Sequence, residues 1–115
     1  MLGGVPLHRD EIPPGTLYLL ILRTLARGGE MHGYEIADSI QRISEDVLQV
    51  EEGSLYPALQ RMLIKGWMKA KWGVTAGNRR ARYYQLTTLG RKQLAVEVSQ
   101  FERVMRAIAR VVQTA

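Results

Sequence analysis

The segment from Ser54 to Gly66 has the sequence pattern of a short helix with one buried face and one polar face. Because proline lacks an N–H and is tolerated only where that group needs no partner, Pro57 places the helix start no earlier than Ser54. We therefore expect Ser54 to be the N-cap and Gly66 to end the helix as its left-handed C′ residue. Apolar side chains at helical spacing predict the inner stripe: Leu55, Leu59, Met62 and Leu63.

The outer face of this helix carries hydroxyl, phenol, amide and cationic groups. Its members are Ser54, Tyr56, Pro57, Gln60, Arg61 and Lys65. A solvated helix side is one interpretation of such a face. The other is a recognition helix in the DNA major groove, since Gln and Arg can make two-pronged contacts with base edges and Ser or Tyr can bond phosphates.

The segment that follows favours the DNA interpretation. Residues 67–72 and 80–86 alternate charged with apolar and aromatic side chains, which predicts two strands joined by a hairpin tip at residues 73–79. The predicted hairpin is strongly basic and carries Lys69, Lys71, Arg79, Arg80 and Arg82. A polar helix followed by a basic two-stranded wing predicts the winged helix-turn-helix layout, with the arginines and lysines at phosphates or in the adjacent minor groove.

Two groups of motifs carry a resemblance to a known family. They are Gly53-Ser54-Leu55-Tyr56-Pro57-Ala58-Leu59 with Arg61-Met62-Leu63 and Gly66, and then Trp72, Arg79-Arg80-Ala81-Arg82-Tyr83-Tyr84-Gln85-Leu86-Thr87 and Gly90-Arg91. From about Thr16 to its C-terminus the chain resembles the PadR family of bacterial transcriptional regulators. The resemblance implies a cytoplasmic homodimeric repressor that binds an inverted-repeat operator in double-stranded DNA, and it gives added weight to Tyr56.

The resemblance also bears on a small-molecule effector. Drug-sensing members of the family line an effector cavity with the first helix and with an aromatic platform between subunits, which implies Tyr18 and Phe101 as candidate effector-binding residues. Here phenylalanine stands where that branch carries a larger indole, and Met105 stands where an acidic residue could hold a cationic drug. Packing at a subunit interface is therefore the alternative interpretation of both side chains.

Two further helices precede the central one. We expect the first at residues 16–27, apolar around most of its circumference, and the second from Met31 or His32 to about Ile43. The buried stripe predicted for the second is Ile36, Ala37, Ile40 and Ile43. In the linker that follows, residues 47–50 are candidates for a short strand pairing with the wing.

The last helix is expected from Thr87 or Thr88 to roughly Val112. Its apolar residues follow the four-three spacing of a coiled-coil seam: Leu94, Val98, Phe101, Met105, Ile108 and Val112. A chain of 115 residues has little core left to bury so long a seam. We therefore expect the seam to pack both against the first helix and against a second copy of the chain.

These predictions give a mainly α (α+β) chain in three parts: a flexible arm at residues 1–15, a winged helix-turn-helix domain at residues 16–87, and a dimerisation helix at residues 88–115. The net charge of +5 favours an anionic partner, most simply nucleic acid, with an anionic membrane surface as the weaker alternative. A winged-helix module for protein association, without sequence-specific DNA binding, is the competing function.

Other function classes lack the residues they need. The chain has no cysteine, which excludes disulfides and thiolate metal sites and fits the cytosol. His32 has no neighbouring ligand type, so we expect a surface or capping group and no metal site or cofactor. No nucleophile, phosphate-loop or paired acid/base motif predicts an enzyme. The longest apolar run, residues 17–22, falls short of the roughly 20 residues of a membrane span.

Overall fold

The computed structural model describes Ile12 and residues 15–114. Most of the arm predicted at residues 1–15 lies outside them, although Ile12 packs against the core. The chain forms four helices and three strands: α1 (Leu17–Gly28), β1 (Met31–His32), α2 (Gly33–Ile43), α3 (Glu52–Ile64), β2 (Met68–Val74), β3 (Arg80–Leu86) and α4 (Thr88–Gln113). The strands form one antiparallel sheet in the order β1-β3-β2, so the architecture is α+β, as predicted.

The core lies where the first three helices meet the base of the sheet. Its most completely buried side chains come from all three helices: Ile21, Leu22, Leu25, Ile36, Leu55, Leu59 and Met62. The stripe predicted for α2 ends earlier than expected, because Ile43 is 54% exposed at the last residue of that helix. Residues 44–46 then turn away from the core, with positive φ at Glu45 and Asp46.

The third strand of the sheet was predicted in the wrong place. Residues 47–50 form only a single bridge residue, Leu48, and no strand, whereas β1 pairs with β3 through Met31 opposite Tyr84 and His32 opposite Tyr83. Met31 and His32 pair with β3 because His32 is the N-cap of α2. Its Nδ1 accepts the backbone N–H of Glu35, and the Glu35 carboxylate accepts the N–H of His32. An N-cap residue is extended, so β1 can pair before α2 begins.

Helix α3 begins three residues earlier than Pro57 predicted, with its N-cap at Glu51 and not at Ser54. The N–H groups of Ser54 and Leu55 both donate to the carbonyl of Glu51, which is the N-cap, and Pro57 lies inside the helix. Because proline has no N–H, the carbonyl of Gly53 loses its usual donor. Gly53 lies on the exposed side of α3, where water can bond that carbonyl, so the helix tolerates the loss.

The other end of α3 follows the prediction and sets the direction of the wing. Gly66 has φ of 78°, its N–H donates to the carbonyl of Leu63, and the N–H of Trp67 donates to the carbonyl of Met62. The hydroxyl of Thr87 joins this turn to α4, because it donates to the Gly66 carbonyl at 2.6 Å and accepts the N–H of Gly90 at 3.0 Å. The helix end, the base of the wing and the start of α4 therefore form one hydrogen-bonded junction.

The wing itself is longer than predicted. Strand β2 continues past Trp72 to Val74, which pairs with Arg80, so the tip shortens to residues 75–79. Helix α4 packs against α1 and has as its cap Thr87, one of the two threonines predicted to open it. Leu94 is buried and Val98 half-buried, whereas the later members of the predicted seam are exposed.

Candidate nucleic-acid interface

An open groove of about 800 Å³ lies between α3 and the wing. Tyr56 and Gln60 line it from the helix, and Arg79, Arg80 and Arg82 line it from the wing. These are half of the residues that the sequence predicts to bind DNA, and they come from both of the predicted elements. The groove is where an outer flank of α3 and the wing arginines come together.

The register of the wing explains why two of the arginines face this groove. Side chains alternate between the faces of a strand, so Arg80 and Arg82 share a face with the buried Tyr84 and Leu86. At the base of the wing this face closes the core. Further out the core ends, so the same face carries its side chains along the groove beside α3.

The wing lysines lie on the other face of the sheet. Lys69 pairs with Gln85 and Lys71 with Tyr83, one residue out of step with the arginines. Lys69 is exposed, and the Lys71 ammonium lies 3.2 Å from the carboxylate of Glu30. The basic hairpin predicted as one ribbon is therefore divided into an arginine face along the groove and a lysine face away from it.

The exposed side of α3 is divided in a similar way. At 100° per residue, Arg61 lies about 140° around the helix from Tyr56, on the flank away from the groove. There its Nε donates to the hydroxyl of Tyr18 in α1 at 2.7 Å. The Tyr18 ring meets Trp67 edge-on at 5.4 Å, and the Lys65 ammonium lies 5.2 Å from the Trp67 ring centre. Arg61 and Lys65 thus contact an aromatic cluster and do not line the groove.

Ser54 and Pro57 are exposed near the N-terminal end of α3 and also lie outside the groove lining. The ten predicted side chains therefore form a groove set, two residues at the helix start, and a third set on the outer flank of α3 and the back of the wing.

Comparison with known proteins places this architecture in a family. The model of the transcriptional regulator PadR-like family matches residues 21–96, which include α2, α3, the wing and most of α1. The chain belongs to the PadR-like family. A protein of Lysinibacillus sphaericus is 30% identical over 100 residues, which cover 87% of this chain and 91% of that protein.

Solved structures agree with the assignment. A transcriptional regulator from Clostridium thermocellum superposes with a TM-score of 0.78 at 27% identity, covering 86% of this chain and 95% of that one. A PadR family transcription regulator from Clostridium difficile superposes with a TM-score of 0.71 at 27% identity, covering 84% and 98% respectively. This PadR-like chain is accordingly a transcriptional regulator with the winged-helix fold.

The inner end of the groove in this PadR-like regulator is aromatic. A Cβ atom on Gly33 would lie 3.1 Å from the Tyr56 ring, so the absence of a side chain there lets Tyr56 pack against the start of α2. Burial raises the pKa of Tyr84, Arg82 lowers it in part, and Tyr56 raises it further. Tyr56, Arg82 and Tyr84 all line the groove, so the helix and the wing meet at this point.

The positive charges of the groove arginines are not neutralised by carboxylates of the described residues. None of Arg79, Arg80 and Arg82 is within ion-pair distance of a carboxylate in the described part of the chain. Arg80 and Arg82 instead lie beside the ring of Trp72, a residue that the sequence patterns did not place in the site. The alternation of side chains along the wing strands could have indicated Trp72 as a site residue, because it places Trp72 on the same face of the wing as Arg80 and Arg82.

Metal ligands do not converge in the described part of the chain. Residue 12 and residues 15–114 contain no cluster of three or more His, Asp or Glu side chains placed to hold a metal ion. Within those same residues, no helix is long and apolar enough to cross a membrane.

Proposed function

We propose that this regulator binds double-stranded DNA as a homodimer and acts as a cytoplasmic repressor at an inverted-repeat operator. The observation that carries the proposal is the juxtaposition of three arginines that lack carboxylate partners among the described residues with the exposed flank of α3 that bears Tyr56 and Gln60. A polyanion supplies the charge that this surface lacks. Membership in a family of transcriptional regulators supports the same conclusion.

The side chains of the groove divide by chemistry into base readers and phosphate binders. Gln60 is suited to a bidentate contact with adenine, and Tyr56 lies one helical turn before it on the same flank. Arg79, Arg80 and Arg82 are suited to phosphate oxygens or to the adjacent minor groove, because a guanidinium forms charge-assisted hydrogen bonds with them. Base contacts confer specificity, and phosphate contacts confer affinity and register.

The remaining predicted residues are proposed as peripheral contacts. Ser54, in the first turn of α3, and Pro57, about one turn further along, are proposed to contact the phosphate backbone of the duplex from the exposed side of the helix. Lys65 and Lys69 add positive charge on the outer flank of α3 and the back of the wing. Arg61 is held on the flank away from the groove by the bond from its Nε to the Tyr18 hydroxyl, so release of that bond would let it turn towards a base, which makes α1 a candidate regulator of that contact.

A dimer is proposed because α4 exposes a long apolar face. Phe101, Met105 and Ile108 are 40 to 48% exposed, and Val112 is 75% exposed, in a single chain. The predicted seam Leu94, Val98, Phe101, Met105, Ile108 and Val112 is thus divided: Leu94 and Val98 pack within the chain, and a second copy would cover the four exposed members from Phe101 to Val112. A two-fold axis through that interface would present two α3 helices to successive major grooves about 34 to 36 Å apart.

An effector, if one binds, is proposed to act between α4 of one subunit and the remainder of the dimer. Phe101 is exposed on the seam and can stack on an aromatic ligand. Tyr18 is already in contact with Arg61 and Trp67. A ligand that took the Tyr18 hydroxyl would therefore free Arg61, and binding at one site would alter the DNA-facing helix.

The direct test is selection of bound sequences from a random duplex pool by the purified protein, followed by a salt titration on the recovered site. An inverted repeat is expected. If each subunit neutralises three or four phosphates, log K should fall with log salt at a slope on the order of −5 to −7. No enrichment, together with no binding even in dilute buffer, would refute DNA binding and leave the protein-association module as the function.

Variants divide the proposed roles. Arg80→Ala with Arg82→Ala should weaken all sequences alike and reduce the slope by about 0.9 for each phosphate that is no longer neutralised. Gln60→Ala should relax preference at one base position at a cost of about 1–3 kcal/mol. Lys71→Ala is the matched control, because it removes a cation from the same wing but from the opposite face, where Glu30 already pairs with it. An equally large effect in the control would refute the assignment of the arginine face.

A further inference from the structure

Trp72 exposes a large ring on the face of the wing that lines the groove, with 57% of its surface accessible. The register places it directly opposite Arg82, and Arg80 follows diagonally on the same face. The guanidinium carbons lie 4.6 Å (Arg80) and 5.7 Å (Arg82) from the centre of the indole ring. Both distances are within the range of about 6 Å in which a cation is attracted to an aromatic face.

The Trp72 ring is the contact that the described residues offer to these two guanidinium groups. Neither guanidinium forms an ion pair or donates a hydrogen bond to another described residue, and Nε of Arg82 is buried without an acceptor. A carboxylate in the place of Trp72 would also hold them, but it would neutralise part of their charge. An aromatic ring attracts both guanidinium groups and leaves their full charge and their donors for another ligand.

We infer that Trp72 is a positioning residue of the interface, whose indole ring pre-orders the guanidinium groups of Arg80 and Arg82 beside the groove for phosphate oxygens. The inference rests on the proposed DNA binding and adds a residue to it. An arginine side chain loses conformational freedom when it is fixed on a phosphate. Because the ring restricts both arginines before binding, less of that freedom is lost on the DNA.

The test compares Trp72→Leu, which removes the aromatic face but keeps an apolar side chain, with Trp72→Phe, which keeps a smaller aromatic face. Val74→Ala is the matched control, since Val74 is exposed on the same face and pairs with Arg80 without being aromatic. Binding is measured by fluorescence anisotropy on a duplex over a range of salt concentrations. The arginine Nε–H resonances of the free protein are recorded by NMR in the same variants.

Trp72→Leu is expected to weaken duplex binding by about three- to tenfold with the salt slope unchanged, because the arginines still reach the phosphates. Trp72→Phe should remain within about twofold of wild type, and Val74→Ala should match wild type. In a background with Arg80→Ala and Arg82→Ala, Trp72→Leu should have no additional effect. The ring-current shifts of both arginines should disappear in the leucine variant without DNA.

Several results would overturn the inference. They are wild-type binding by Trp72→Leu, equal weakening in the phenylalanine and leucine variants, or a reduced salt slope. A full effect of Trp72→Leu in the background that lacks Arg80 and Arg82 would also overturn it, because it would indicate direct contact between the indole and DNA. Arginine resonances that do not change would overturn it as well. If wild-type protein binds no duplex, the proposed function fails, whereas the NMR comparison still decides whether the ring orders the arginines.

Discussion

Gly90 lies where the first turn of α4 crosses the chain that leaves α3. A Cβ atom built at Gly90 would lie 1.8 Å from the carbonyl oxygen of Trp67, and that oxygen also accepts the N–H of Thr87. Neither the Trp67 carbonyl nor the backbone of Gly90 can move away without breaking the junction between α3, the wing and α4. The requirement for glycine here comes from this close approach, because Gly90 is helical.

Gly90→Ala should therefore lower the free energy of unfolding by about 2–3 kcal/mol, the upper part of the usual range for overpacking. Chemical denaturation followed by circular dichroism measures the change. Gly53→Ala is the control, because Gly53 is helical and exposed and a Cβ there meets nothing within 4 Å. That substitution should stabilise by about 0.5–1 kcal/mol. Equal stability of the two variants would contradict the close approach.

Tyr84 gives a second prediction at this scale, in its dependence on pH. Burial raises the pKa of this phenol above its usual value of 10.0. A raised pKa in the folded state stabilises the fold fully below the unfolded pKa, and this contribution is lost as the pH rises through the folded pKa. The free energy of unfolding of wild type relative to Tyr84→Phe should therefore be constant up to about pH 10 and fall above it.

The same denaturation series, run from neutral to strongly alkaline pH, checks this expectation. Tyr34→Phe is the control for the general effect of removing a phenol, since Tyr34 is exposed. A difference between wild type and Tyr84→Phe that stays constant through the alkaline range would contradict the raised pKa. It would also weaken the picture of a buried aromatic end of the groove.

Among the elements, the contact between α1 and α3 bears most directly on regulation. The Tyr18 hydroxyl accepts the Nε–H of Arg61, so a residue of the outer flank of α3 is held by a helix outside the groove. Tyr18→Phe keeps the ring against Trp67 and removes only the acceptor. If Arg61 reads DNA, the variant should bind its operator about threefold more tightly, because an exposed charged hydrogen bond worth somewhat under about 1 kcal/mol no longer has to be broken.

Operator affinity measured at fixed salt decides the role of Arg61. Arg61→Ala should abolish the gain in the Tyr18→Phe background. Weaker binding by Tyr18→Phe would instead show that the contact positions α3. Arg42→Ala is a suitable control, because it removes an exposed arginine whose ion pair, with Asp38, lies within α2.

The helices and strands also show which parts of the fold could be predicted from the sequence. The strand β3, the cap at Thr87 and the stop at Gly66 were predictable, because alternation, a capping hydroxyl and a left-handed glycine are local signals. Strand β1 was not predictable, since two residues carry no periodicity and their pairing depends on Tyr83 and Tyr84, far along the chain. The start of α3 was wrong because Pro57 excludes only one hydrogen bond, and an exposed carbonyl can lose it.

The candidate site likewise has features that local sequence patterns predict and features that depend on tertiary packing. That α3 and the basic hairpin lie together was predictable from their order and composition. The division of Lys69 from Arg80 and Arg82 depends on the register of the wing, and the capture of Arg61 by Tyr18 depends on the packing of α1. Sequence patterns thus predicted which segments lie side by side at the groove, whereas tertiary packing decides which side chains line it.

At the scale of the whole molecule, the exposed C-terminal half of α4 determines the oligomeric state that we expect. A single chain leaves Phe101, Met105 and Ile108 exposed on one face of a helix whose N-terminal half is anchored by Leu94. We expect the protein to be a dimer at micromolar concentration, with a melting temperature that rises with protein concentration. Sedimentation velocity over a hundredfold dilution series measures both the mass and the dissociation constant.

Met105→Glu should disrupt that dimer. It removes an apolar side chain from the interface in each subunit and brings two carboxylates towards each other across the two-fold axis. At about 1.5 kcal/mol for each side chain removed, the dissociation constant should rise by at least about 100-fold. Arg103→Glu is the control, because residue 103 lies about 160° around α4 from Met105, and introducing the same carboxylate there should leave the dimer intact. A monomeric wild type, or equal dissociation of both variants, would require another partner for this face and would remove the basis for an inverted-repeat operator.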